Sequence, residues 1–361
     1  MQRLSDGTLW ELMEKELMNI KARHKYASIA DALDNEKECC IIIDDVLQSN
    51  IYTHPEKVER IPGVTQNRAR HILITYLMGQ AFKKFLHFDN KLDHLGSLLS
   101  SDWEKKNLWT LTALYHDYGY YLEDLKNPFY QYSAVKPNVL NDISTLEESK
   151  KNKIMAYTLD EIYEYDSTKR KMQQDKNTDE KIDHGIFGGI RAYAVLRKKD
   201  PYPIDCTIGI AMTIVQHNIF KSSSKDDDEK YYYKLSRLQH DTDFRITQET
   251  PLLLFLSLID TVECTKKFGR QENADKFLMT KTILSGITVH ITEKTIEIDF
   301  SDLHKKILQK KSEELESRYR AYVKSIEGLV TWTDFLSVKL VEDRYTIMCK
   351  VSSERKKVIA S

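Results

Sequence analysis

Five stretches of this chain have the apolar spacing of buried helices, yet each carries a side chain that an apolar interior does not accept alone. Asp260 lies inside LLLFLSLIDTVE, and His217 closes TIGIAMTIVQH. His71 opens the run HILITYLM after R-A-R, and His116-Asp117 follow LWTLTALY. His184 stands in D-H-G-I-F-G-G. Gly188 lies one helical turn later on the same face and leaves space beside the imidazole for a ligand or another helix. A buried carboxylate without a partner is costly, so a fold that buries these runs must bring their polar groups to one another or to a cation. The sequence supplies its own contrast: His240-Asp241, in L-Q-H-D-T-D, has polar surroundings and reads as surface.

The surrounding pattern predicts a mostly α fold. Only 12 Gly and 7 Pro among 361 residues favour long helices with short connections. Residues 1–55 read as two helices packing on the core. Helices are expected near 67–88, 103–124, 184–198 and 204–219, and from Pro251, where Thr250-Pro251 supplies an N-cap hydroxyl and a first-turn proline. The core unit spans 56–275, with a charged insertion at 145–182 carrying EESKKNK and KRKMQQDKNTDEK. From 276 to 361 the period changes. ITVHI and TIEIDF alternate as strands, 301–328 reads as one long amphipathic helix, and SVKLV and YTIMCKV form a second hairpin. This tail is expected to be a small C-terminal α+β appendage and the surface available for self-association.

Composition narrows the partners. A formal net charge of −1 gives no bulk attraction to nucleic acid or membrane, although a local basic groove is compatible with that total. The N-terminal MQRLSDGTLWELMEKEL lacks the apolar centre of a signal peptide, and PLLLFLSLID is too short to span a bilayer, so a cytoplasmic protein is expected. Five cysteines without C-x-x-C spacing argue against a disulfide framework or a thiolate zinc site. His290 and His304 are expected at the surface of the tail.

Taken singly, each polar residue has a plainer reading: a histidine on an apolar helix face is often a satisfied core residue, and Asp260 alone fits a helix cap or an arginine partner. The set points to metal. His71, His116, Asp117, His184, His217 and Asp260 offer imidazole and carboxylate donors without thiolates, a chemistry that suits Mn, Fe, Mg, Co, Ni or Zn without selecting among them.

The ordered motifs R-A-R-H71, L-Y-H116-D117-Y-G, D-H184-G-I-F-G-G, V-Q-H217-N and S-L-I-D260-T resemble those of the HD superfamily of metal-dependent phosphohydrolases over roughly residues 60–270. The resemblance implies an HD-type helical bundle with two divalent metal ions. His71, His116, Asp117 and Asp260 would hold the first ion, His184 and His217 the second, with Asp117 bridging. It also implies a nucleotide phosphatase or phosphodiesterase, hydrolysing a small-molecule phosphate ester or nucleotide by a metal-activated water that Asp117 positions. Tyr120 stands where many two-metal members carry a lysine, and the chain lacks the His-Asp-x-x-Glu-Asp signature of the alarmone hydrolases. Phosphate neutralisation is therefore sought from Arg68, Arg191 or Lys266, with Tyr120 offering one hydrogen bond. Asp183 is a candidate to orient His184 from behind, and equally a helix cap. Two other readings stay open: a di-iron oxygenase resembling myo-inositol oxygenase, and a non-catalytic nucleotide-sensing module.

Overall fold

A computed structural model describes residues 3–21, 29–51, 66–83, 102–117, 119, 184–197, 204–217, 251–269, 278–292, 295–331, 336–341 and 346–352. The charged insertion 145–182, the polar loop at 222–230 and the break at Pro62-Gly63 lie outside these residues.

The centre is α4 (Gln66–Lys83), buried on every side from Ala69 to Gly79. A helix buried on every face lies in the middle of a bundle, and α4 is flanked on several sides. Its neighbours include α1 (Leu9–Lys21), α3 (Glu36–Ile51), α5 (Asp102–Tyr115) and α8 (Pro251–Val262). The pair α6 (His184–Arg197) and α7 (Ile204–Gln216) packs against α5, and α7 also meets α8. The described part of the chain is mostly helical, and none of its helices is long and apolar enough to cross a membrane.

Polar groups fasten the shell to this centre. Arg70 is buried and donates from Nε to Leu33 O (2.7 Å) and from Nη2 to Asp34 O (3.2 Å), satisfying the last carbonyls of α2 (Ile29–Asp34). The Asp34 carboxylate accepts from Thr280 N at 3.1 Å and Thr280 Oγ1 at 2.6 Å, at the start of α10 (Thr280–Leu284). The short α9 (Thr265–Phe268) follows α8 almost directly.

The strands expected in the tail are present, and they form one sheet with a strand from residues 3–8. The hairpin strands form as β2 (Thr288–Thr292), β3 (Thr295–Asp299), β4 (Leu336–Val341) and β5 (Thr346–Ser352). Residues 1–55, expected to be two helices, hold three among the described residues, preceded by a strand, β1 (Arg3–Thr8). That strand joins the same antiparallel sheet, in the order β1-β2-β3-β5-β4. RLSDGT shows no apolar alternation, and the strand is held by pairing with β2 instead. The two ends of the chain thus share one sheet. Val289 faces Ile298 across β2 and β3, both fully buried.

The single helix expected at 301–328 is two, α11 (Ser301–Gln309) and α12 (Glu313–Thr331). The break is at Lys311, whose φ of 49° lies in the left-handed region, which a continuous helix does not contain. Helix α5 ends at Tyr115 instead of continuing to 124, because the chain turns at His116-Asp117.

One contact sets the spacing of the bundle at the site. Gly79 on α4 lies against the Trp109 ring of α5, and a Cβ added there would sit 1.9 Å from a ring carbon. Trp109 donates from Nε1 to Tyr76 O at 3.0 Å and meets Phe255 of α8 edge to face at 4.6 Å. Three ligand-bearing helices therefore converge on one indole. Gly79→Ala should overpack this contact and destabilise the fold by about 1–3 kcal/mol, read as a lowered denaturation midpoint without a change in the denaturant slope.

Candidate metal centre

Four helix ends and one helix interior deliver the polar residues. His116 and His217 each follow the last residue of an apolar helix. Each turns its ring back on its own helix: His116 Nδ1–H donates to Ala113 O at 2.7 Å, and His217 Nδ1–H to Ile214 O at 2.5 Å. The ring bonds a carbonyl in the last turn of its helix, and its Nε2 faces the site with the lone pair outward. His184 begins α6, His71 lies in the first half of α4, and Asp260 and Glu263 lie one turn apart at the end of the α8 segment.

The ends meet through glycine. A Cβ on Gly119 would fall 1.7 Å from His184 O and 2.6 Å from Gly188 N. A Cβ on Gly188 would lie 3.1 Å from His116 O. These two glycines let the turn after His116-Asp117 press against the first turn of α6. The space expected beside His184 is thus filled by another helix end, and Gly119 serves close approach.

All six predicted ligands come together, and all are buried. His71 Nε2 lies 2.9 Å from Asp260 Oδ1 and 3.2 Å from His116 Nε2, which is itself 3.6 Å from Asp260 Oδ1. Asp117 stands between two sets. Its Oδ2 is 3.4 Å from His71 Nε2. Its Oδ1 is 3.3 Å from His184 Nε2, 3.5 Å from His116 Nε2 and 3.9 Å from His217 Nε2. Donor atoms that share one ion at about 2.1 Å lie about 3–4 Å apart, the range seen here. Two buried triads, His71–His116–Asp260 and His116–Asp117–His217, have ligand atoms close enough to hold a metal ion. His116 belongs to both. Asp117 Oδ2 is buried and accepts no hydrogen bond among the described residues, which fits a cation as its intended partner.

Glu263 was not among the sequence candidates. It is 1 % exposed, and its Oε2 receives the Nδ1–H of His71 in a short hydrogen bond. Its Oε1 accepts from Thr265 N at 2.6 Å and from Thr265 Oγ1. His71 is therefore gripped from behind by a carboxylate that is itself fixed, which sets the tautomer and ring orientation. The signal available was a second acid one helical turn after Asp260, inside the same apolar run.

The charges are strongly coupled. Burial pushes the Asp117 carboxyl up, but His116, His71 and His184 outweigh it and hold the group well below the ordinary carboxylate range. Burial likewise raises Glu263, and His71 and Lys266 bring it down, with Thr265 assisting. Burial and Lys266 both disfavour the His71 imidazolium, yet Glu263, Asp117 and Asp260 prevail and raise its pKa above 6.5. Lys266 is desolvated, but Asp260, Asp117 and Glu263 keep it charged.

Of the other sequence candidates, Lys266 reaches the centre, with Nζ 3.1 Å from Asp260 Oδ1, and Arg68 Nη1 lies 3.7 Å from Asp117 Oδ2. Tyr120, Asp183 and the side chain of Arg191 lie outside the described residues. His304, expected at the surface, is buried and stacks on Tyr319 with ring centroids 4.5 Å apart and planes 3° apart. Cys39, Cys206 and Cys264 are buried and Cys40 is half-buried.

No family model, no curated protein and no solved structure matches the chain.

Two outcomes follow from the Glu263–His71 pair. Glu263→Gln should weaken divalent metal binding by about 10- to 100-fold while leaving the fold intact, measured by calorimetric titration beside a circular dichroism melt. Because His71 must give up its Nε2 proton to ligate, and its environment favours that proton, metal retention should fall as pH is lowered from about 8 to about 6. Equilibrium dialysis across that range reads the loss.

Proposed function

We propose that the chain is a metal-dependent hydrolase of phosphate esters, acting on a nucleotide or a related small phosphate, in the manner of the HD superfamily that its motifs resemble. The observation that carries the reading is the placement of Asp117, with one oxygen toward His71 and the other toward His184, His116 and His217. A carboxylate so placed suits a bridge between two cations, and the donor set is the hard nitrogen and oxygen mix that divalent ions of this class accept.

His71, His116, Asp117 and Asp260 would hold one ion, and His184 and His217, with Asp117, the other. When bound, such ions lower the pKa of a coordinated water and offset charge developing on a phosphate. The chain does the rest by positioning. Glu263 and the two helix-end carbonyls lock three imidazoles in the orientation that points Nε2 inward. Asp117, held ionised, orients the attacking water and accepts its hydrogen bond. The apolar walls of α4, α5, α7 and α8 keep bulk water out and strengthen every charge interaction within.

The test is hydrolysis by purified protein supplied with Mn, Co, Ni, Mg or Fe, against mono-, tri- and cyclic nucleotides. Turnover should require metal, and Asp117→Ala should lower it by at least about 100-fold without unfolding the protein. Full activity in that variant would count against the assignment. Iron-dependent oxygen consumption without phosphate release would instead favour the oxygenase reading.

A further inference from the structure

Every ligand-type side chain of the centre is buried, with two cations at its edge that are not. Lys266 is 23 % exposed and Arg68 28 %, while the carboxylates they contact are at most 2 % exposed. Arg68 also acts electrostatically on Lys266, so the two cations share one region beside the site.

Both occupy space that a metal ion would claim. His71 Nε2 has a single in-plane direction for a partner. Lys266 Nζ lies 3.2 Å from that atom and 3.1 Å from Asp260 Oδ1. An ion about 2.1 Å from the same two atoms displaces the Nε2 proton and takes the carboxylate charge that now holds the ammonium. Arg68 makes a looser ion pair with Asp117 Oδ2, at 3.7 Å. The ammonium and guanidinium are thus the centre's resident counter-ions, each on a side chain long enough to turn outward.

We propose that Lys266 and Arg68 are exchanged for metal: ion entry releases both from the buried carboxylates, and the freed pair binds a dianionic phosphate group, so the substrate is a phosphate monoester. This rests on the metal-dependent hydrolase reading above. Charge balance selects the class. Two divalent ions against the three carboxylates Asp117, Asp260 and Glu263 leave one positive charge, which the negative charge of the nucleophile offsets. The two released cations then remain to be neutralised, and a monoester dianion does so where a diester monoanion does not.

Binding alone tests the proposal, with inorganic phosphate and dimethyl phosphate as probes on the full chain with and without Mn. Inorganic phosphate should bind the Mn-loaded protein at least about tenfold more tightly than dimethyl phosphate, and hardly at all without Mn. Lys266→Gln should weaken phosphate binding at least about tenfold and tighten Mn binding several-fold, because a competitor for His71 and Asp260 is gone. Lys266→Arg should recover much of the phosphate affinity. Should the glutamine variant fail to fold, the wild type suffices: phosphate and Mn must each tighten the binding of the other. Equal binding of the two probes, or no linkage between Mn and phosphate, overturns the exchange. So do unchanged constants in a folded Lys266→Gln. In each of these cases Mn uptake leaves the hydrolase reading standing. Failure of the wild type to take up any divalent metal overturns both.

Discussion

The buried Asp117 carboxylate is the interaction on which the rest of this structure depends. An ionised acid at the centre of an apolar bundle is tolerable only with compensating charge on every side. Asp117 has imidazoles from four separate segments around it, those of His71, His116, His184 and His217. Much of the surrounding architecture brings them there. The glycine contact between residues 119 and 188 lets two helix ends touch, and the Gly79–Trp109 contact sets the distance between α4 and α5.

The same device recurs at three of the four histidines. One ring nitrogen is committed to an acceptor behind it, and the other is presented to the centre. At His116 and His217 the acceptor is a carbonyl in the last turn of the preceding helix, so the ligand also caps its helix. At His71, inside a helix, no such carbonyl exists, and Glu263 supplies the acceptor instead. Helix termination and ligand placement are one event at the first two sites.

The six clustered residues were legible in the sequence because a polar group inside an apolar helical run is a local anomaly, visible without knowing the fold. Pro251 opening α8 and the alternating strands of the tail were legible for the same reason: their signals are short-range. What was missed is long-range. Arg3–Thr8 becomes a strand only because β2 offers it an edge, and RLSDGT carries no period of its own. His304 is buried because Tyr319, on the next helix, stacks over it, and the break at Lys311 that brings α12 back has no glycine to announce it. Glu263 sat in plain view beside Asp260, but its partner His71 is 192 residues away. Sequence spacing could not join them.

The most direct test of the central claim is elemental analysis of the full chain purified without chelator, followed by metal titration of the stripped protein. Two equivalents of a divalent metal per chain, reduced to one or none by Asp117→Asn in a protein that still folds, is the result this account predicts. A wild-type chain that neither carries nor binds a divalent metal would contradict it.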